Sequence, residues 1–218
     1  MIKYNIIDNF LDQSVFDKMA DKIMPIGHTR KTKETVVGLP WIYNHSQTLA
    51  EKEEPEYPKG IEGVTDIKLL DSVKQSFFYF LFYKGTITNY YQGVEKLVEK
   101  IDPIAIFRIQ ANLTLQQSER GRSRFHTDSI PDPDDNLGMV TSIFYMNTTN
   151  GSIILEDGTE IECRANRLLS FPYDTYHSAV SCTDQPYKLV INLNCFGTNK
   201  LWCTKRKVKN VRTHDRFF

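Results

Sequence analysis

The feature that most constrains this chain is a run of strict alternation after Pro103. Ala105, Phe107, Ile109, Ala111, Leu113 and Leu115 alternate with Ile106, Arg108, Gln110, Asn112, Thr114 and Gln116. Successive side chains of a strand point to opposite faces, so this period of two predicts one long strand with an apolar face to bury. Such a strand is not stable alone and requires a sheet with a covering layer. Further strands are expected near 139–147, 152–155, 159–163, 167–171, 177–181 and 187–196. Turn signals separate them at Asn150-Gly151, Asp157-Gly158, Pro172-Tyr173-Asp174 and Asp184-Gln185-Pro186. Many short strands with such turns point to a sandwich or a double-sheet jelly roll.

The first hundred residues read as mainly helical. Asp12 is a candidate N-cap, and Val15, Phe16, Met19 and Ile23 then share a helical face until Pro25 ends the run. The stretch 25–60 reads as a long loop or lid, with a short helix near 41–52. Residues 67–83 are expected to form a second helix, very aromatic in its last turns, and 91–101 a third, closed by Asp102-Pro103. With 218 residues the chain suits one α+β domain. Its parts are a mainly helical 1–103, a β core at 104–197 and a basic C-terminal extension at 198–218.

Charge excludes little but shifts the weight. Lys+Arg and Asp+Glu balance at 27 each, so no global basic field argues for nucleic acid. Only the C-terminal stretch is locally basic, through Lys205, Arg206, Lys207, Lys209, Arg212 and Arg216. That reads as a solvated tail, with contact to a partner as the competing reading. Cys163, Cys182, Cys195 and Cys203 make no CxxC or zinc-like pair. No apolar segment follows the first lysine, and the apolar run 77–83 is too short to span a bilayer. The expectation is a reduced, cytoplasmic protein without a membrane segment.

Two histidines fall in the β half, His126 and His177, and Asp128 lies two residues after the first. In a strand, His126 and Asp128 would face one point while Thr127 turns away. Two imidazoles and a carboxylate are the facial donor set of a non-haem ferrous centre, which leaves three coordination positions open. His-x-Asp alone is weak, and each histidine taken singly reads as a surface or core residue. Lys188 strengthens the pattern. In the strand 187–196, Lys188, Val190, Asn192 and Asn194 share one face, while Leu189, Ile191, Leu193 and Cys195 share the other. A cation and two amides on an inward face call for a polar or anionic occupant. The alternative puts Lys188 on the solvent side of an edge strand. His28, His45 and His214 read as surface residues.

In this order of residues the chain resembles the 2-oxoglutarate- and Fe(II)-dependent dioxygenases, in particular their prolyl-hydroxylase-like branch. The resemblance covers about 104–197. It is carried by Arg108 to Leu113, His126-Thr127-Asp128, Ser142 to Asn147, Gly151, Asn166 to Phe171, His177 to Val180, and Lys188. It implies a double-stranded β-helix, or jelly roll, with N-terminal helices packed on the outside. His126, Asp128 and His177 would be the catalytic metal ligands. Lys188 stands where the family pairs a cation with the distal carboxylate of 2-oxoglutarate, and Tyr145 matches a tyrosine that helps bind it. Asn192 and Asn194 would lie near the co-substrate, and Asn112 would be a pocket residue. The cofactors implied are Fe(II), 2-oxoglutarate and O2, with ascorbate supporting turnover. There are departures: Leu113 replaces a frequent tyrosine, the Lys188 spacing is one residue longer than in some relatives, and the loop 116–124 is long and polar. That loop, with Glu119, Arg120, Arg122 and Arg124, reads equally as solvated or substrate-contacting.

The function so implied is hydroxylation of a C–H bond, with a prolyl or other residue of a peptide or protein as first choice of substrate. A free amino acid or small metabolite is the alternative. From another class comes a non-catalytic β-barrel binding module, which would need no iron. A metal-using cupin enzyme would not need Lys188.

Overall fold

The computed structural model describes residues 2–24, 39–44, 61, 64–69, 76–128 and 138–197. The expectations for residues 25–38, 45–60, 129–137 and 198–218 lie outside them, as do His28, His45, His214 and Cys203. Eleven strands are described: β1 (Asn5–Ile7), β2 (Ile42–Asn44), β3 (Ser76–Tyr83), β4 (Thr86–Ile87), β5 (Ala105–Leu115), β6 (Met139–Tyr145), β7 (Ser152–Leu155), β8 (Glu160–Glu162), β9 (Leu168–Pro172), β10 (His177–Val180) and β11 (Tyr187–Phe196). Two α-helices accompany them, α1 (Gln13–Ile23) and α2 (Glu95–Ile101).

The strands make two antiparallel sheets. The large sheet has eight strands in the order β1-β9-β6-β11-β5-β3-β2, with β4 paired to β3; the small one has the order β10-β7-β8. The alternation of β5 and β11 sorts their side chains between two cores. Ile109, Ala111, Leu113, Leu189, Ile191 and Leu193 cluster with Phe16, Met19 and Ile23 of α1 and Leu97, Val98 and Ile101 of α2. On the opposite face, Val190, Ile143, Tyr145, Leu169 and Phe171 pack against Ile153, Leu155 and Ile161 of the small sheet. This second cluster is the filling of a β-sandwich, and the chemistry-bearing side chains project into its open end.

The helical reading of the N-terminal part is corrected. Residues 76–83, expected as the end of a helix, are β3, paired in register with seven residues of β5. The run Ser76-Phe-Phe-Tyr-Phe-Leu-Phe-Tyr83 is aromatic on both faces, which erases the period that marks a strand. Aromatic side chains nevertheless suit a pleated surface shared between two layers. Phe77, Tyr79 and Phe82 pack towards the helices, and a register shift between Phe80 and Phe82 accommodates the fully buried Leu81. Within the stretch 41–52, where a short helix is expected, Ile42–Asn44 is strand β2, and residues 45–52 lie outside the described residues.

The two remaining helices follow their signals. In α1, Phe16, Met19, Ala20 and Ile23 are buried, and Met24 leaves in an extended conformation before Pro25. Asp12 is the N-cap by backbone alone: its carbonyl accepts from Val15 and Phe16, without a side-chain cap. Asp102 closes α2 in the left-handed region with φ 56°. The expected strand boundaries for β7 and β11 match those observed, and those for β5, β6, β8, β9 and β10 agree within two residues.

Candidate metal centre

His126, Asp128 and His177 come together at the mouth of the sandwich. One donor atom from each lies within 4.8 Å of the others. The two histidines are positioned by main chain. His126 N–H donates to the His177 carbonyl at 3.0 Å and His177 N–H donates back at 2.9 Å. This isolated bridge sits at the head of β10, and the rings lie 4.5 Å apart between centroids. His126 and Asp128 were expected on a regular strand, and this is refined. They ride on an irregular segment laid along the free edge of β10, held by bridges at Arg122 and His126 only. Ser123 N–H donates to Ala179 O, and Gly121 O accepts from Ser181 N–H. The polar segment 116–124 is thus largely stitched to the small sheet. Arg120 reaches Glu160 and Ser152, and Arg122 donates to Ile67 O.

Each imidazole is oriented the same way. Nδ1 of His126 lies 3.1 Å from Arg124 O, and Nδ1 of His177 lies 3.1 Å from Thr175 O. A carbonyl only accepts, so each Nδ1 carries the proton and each Nε2 keeps its lone pair for a metal. Burial, and the like charge His126 would add, push His177 down to about 4, against the pull of Asp128, so it stays a neutral ligand at physiological pH.

Asp128 has only 6% of its side chain exposed and sits in a cage of three donors. Arg108 Nη2 donates to Oδ1 at 2.9 Å, while Thr141 Oγ1 and Asn194 Nδ2 each donate to Oδ2 at 3.0 Å. Asn194 also accepts from Arg108 Nε at 2.7 Å, which closes the ring of contacts. Burial alone would raise this carboxyl, but the pull of the two histidines and of the Arg108 guanidinium, with the Asn194 bond, outweighs it and holds it below the usual range. The carboxylate is therefore ionised, fixed and ready to ligate. Register explains the gathering: Arg108, Asn194 and Thr141 are directly paired on β5, β11 and β6.

The sequence-predicted co-substrate residues separate into two groups. Lys188 is buried to 3% exposure, at the inner end of the row it shares with Asn194. Its Nζ donates to the carbonyls of Ser152 at 3.3 Å and of Val180 at a shorter distance, and it makes no ion pair with a described residue. Burial lowers its pKa, as a cation without a counter-charge requires. Gly151 makes room for it: a Cβ there would lie 3.0 Å from Lys188 Cδ and 2.9 Å from the Val180 carbonyl. The buried Tyr145 hydroxyl and Asn192 Oδ1 have no hydrogen-bond partner among the described residues. Asn194 belongs to the Asp128 cage. Asn112 lies opposite Val190, with its Oδ1 accepting from Gln110 at 2.6 Å.

These features fit a ferrous ion with a dicarboxylate co-substrate. The donor set suits the metal, and a buried lysine with two orphaned polar atoms behind it suits an anion that penetrates the sandwich. Arg108 and Thr141 were missed as functional residues. Arg108 carried a signal, since it is a lone cation on the polar face of β5, as Lys188 is on β11. Thr141 carried none, because its role depends on register with β11.

No family model and no curated protein matches the sequence. Solved structures do. A prolyl hydroxylase of Trichoplax adhaerens, in complex with a hypoxia inducible factor oxygen degradation domain peptide fragment, superposes with a TM-score of 0.54 at 15% identity, over 88% of this chain and 83% of that one. SnoN, a non-haem α-ketoglutarate-dependent epimerase from nogalamycin biosynthesis, does so with a TM-score of 0.52 at 11% identity, over 90% of this chain and 79% of that one. The structural neighbours are thus 2-oxoglutarate- and Fe(II)-dependent oxygenases, and the chain shares their fold.

Proposed function

We propose that this chain is an Fe(II)- and 2-oxoglutarate-dependent dioxygenase that hydroxylates a C–H bond. The observation that carries the reading is the convergence of His126, Asp128 and His177, together with a buried Lys188 that pairs with no anion among the described residues. His126 Nε2, His177 Nε2 and an Asp128 oxygen would hold the iron on one face. Lys188 would pair with the distal carboxylate of 2-oxoglutarate, with Tyr145 and Asn192 offering their unused polar atoms along its length. Bound iron and 2-oxoglutarate supply the oxidising power, through activation of O2 coupled to decarboxylation of the co-substrate to succinate. The chain's own contribution is to fix the ligands, keep His177 neutral, hold Asp128 ionised and exclude water with the apolar filling of Ile143, Leu155, Phe171 and Val190.

The substrate we favour is a residue of a peptide or protein. Support comes from the peptide-bound prolyl hydroxylase among the structural neighbours. A free amino acid or small metabolite is the second reading, supported by the epimerase of like fold.

The test is binding and turnover of the full chain with Fe(II), ascorbate and 2-oxoglutarate. Metal-dependent 2-oxoglutarate binding and succinate release are expected. Asp128→Ala should abolish iron binding. Lys188→Ala should keep the iron and weaken 2-oxoglutarate by about tenfold or more, the weight of one buried charge-assisted pair. Function that survives Asp128→Ala would favour a non-catalytic binding module. Turnover insensitive to Lys188→Ala would favour a cupin-like enzyme.

A further inference from the structure

Arg108 has a second edge. A guanidinium presents two forks, one through Nε and Nη2 and one through Nη1 and Nη2. The first is occupied: Nε donates to Asn194 and Nη2 to Asp128. The second, end-on fork makes no hydrogen bond or ion pair with any described residue, and 23% of the side chain is exposed at the mouth of the site. We propose that this free fork is the docking point for a carboxylate on the substrate, and that Arg108 thereby selects acidic substrates with an apolar body.

Charge complementarity identifies the occupant. The inference rests on the dioxygenase reading. In the loaded site the ferrous ion and Lys188 would be balanced by Asp128 and the two carboxylates of 2-oxoglutarate, since an imidazole ligates a metal only in its neutral form. Arg108 is then one positive charge in excess, beside the metal and largely withdrawn from water. Such a charge is costly unless an anion joins it; among the described residues none besides Asp128 does, and a substrate carboxylate would. A planar carboxylate matches the end-on fork with two parallel hydrogen bonds.

The ground beside the fork describes the rest of the molecule. Gln110 and Asn112 continue the row from Arg108 along β5. On β3, Phe80 and Phe78 pair with them in register, with ring centroids 5.4 Å apart. Among the described residues, neither phenylalanine packs against a buried cluster, whereas Phe77, Tyr79 and Phe82 on the opposite side do. A half-exposed aromatic pair beside amides and a cation fits an amphiphilic acid, with its carboxylate at Arg108 and its apolar body over Phe80 and Phe78. The acid can be a free molecule or an aspartate or glutamate side chain beside an apolar residue.

The experiment uses the full chain with Fe(II) and 2-oxoglutarate in the absence of O2, reading the visible charge-transfer band of the loaded site. Phenylacetate and N-acetylphenylalanine are titrated beside their methyl esters, and a blocked tripeptide with a central glutamate beside its glutamine counterpart. Each acid is expected to perturb the band at a concentration about tenfold lower than its neutral partner. Whether the small acids or the tripeptide lead identifies the source of the carboxylate. Arg108→Gln also removes a donor to Asp128, so it is compared with wild type only once each is saturated with Fe(II) and 2-oxoglutarate, with its own band as the reference. Its acid-over-neutral preference should be lost, and Arg108→Lys should restore part of it. Phe80→Ala, outside the Asp128 cage, should weaken acid and neutral partner alike and keep the preference. A band that responds equally to acid and neutral partner in the wild-type chain overturns the proposal alone, as does a preference that persists in Arg108→Gln. Absence of the band in the wild-type chain overturns the dioxygenase reading and this proposal with it.

Discussion

At the scale of single residues, His177 ties the site to stability. Its folded pKa is lowered to about 4 from an ordinary 6.5 because it is buried. As pH falls, the unfolded chain therefore takes up this proton first. The stability gained from a neutral His177 is complete above pH 6.5 and is lost progressively between 6.5 and about 4. Urea unfolding of the metal-free chain should show a loss of up to about 3 kcal/mol in that window from this residue. His177→Gln should flatten the slope there and leave the fall below pH 4, where the carboxyl of Asp128 takes up its proton in the unfolded chain before it does in the folded one. An unchanged slope would contradict the burial argument. The Asp128 cage makes a second prediction. Asn194→Ala removes one of three donors, and the affinity for Fe(II) or Co(II) should fall by about 10- to 100-fold in a metal titration. The donor set of the site was legible in the sequence because ligand type and local spacing are properties of one segment. The cage was not, because Arg108, Thr141 and Asn194 meet only once three strands are in register.

Elements tell the same story at longer range. β5 and β11 were legible because each keeps one periodicity from end to end, and β7 because Asn150-Gly151 and Asp157-Gly158 bracket a short apolar run. β3 was not, since a helix layer on one side and the site on the other leave it apolar all round. Its burial is nonetheless structural: Leu81 is fully buried at the β3 bulge. Leu81→Ala should cost about 2–5 kcal/mol in chemical denaturation, as a cavity in a packed core does. Gly151 is the corresponding point on the small sheet. Its Cβ would press on Lys188 Cδ and on the Val180 carbonyl. Gly151→Ala should leave iron binding intact and weaken 2-oxoglutarate binding, because Lys188 cannot keep its path. Equal co-substrate affinity in this variant would mean that Lys188 reaches the anion by another route.

In the whole molecule, the N-terminal segment is fastened to the β core rather than merely preceding it. Asn166, at φ 60°, accepts from Leu11 N–H at 2.8 Å and donates to Leu11 O at 2.7 Å through its side chain, and its carbonyl accepts from Phe10 N–H. Arg167 adds a two-point pair with Asp8. Asn166→Ala would leave two buried backbone groups unpaired in a conformation alanine disfavours, at a cost of about 2–4 kcal/mol. Unfolding should remain a single transition when followed both by Trp41 fluorescence, in a chain carrying Trp202→Phe, and by far-ultraviolet circular dichroism. A separate early transition would show that the N-terminal part melts on its own. The reciprocal bond between the backbones of His126 and His177 has a further consequence, in the language of hydrogen exchange. Each amide is covered by the other residue's carbonyl, so neither can meet solvent until the segment carrying His126 parts from β10. Both should show one common protection factor, set by that opening. A metal ion bridging the two side chains should slow both by the same factor, and that factor measures its affinity without any turnover.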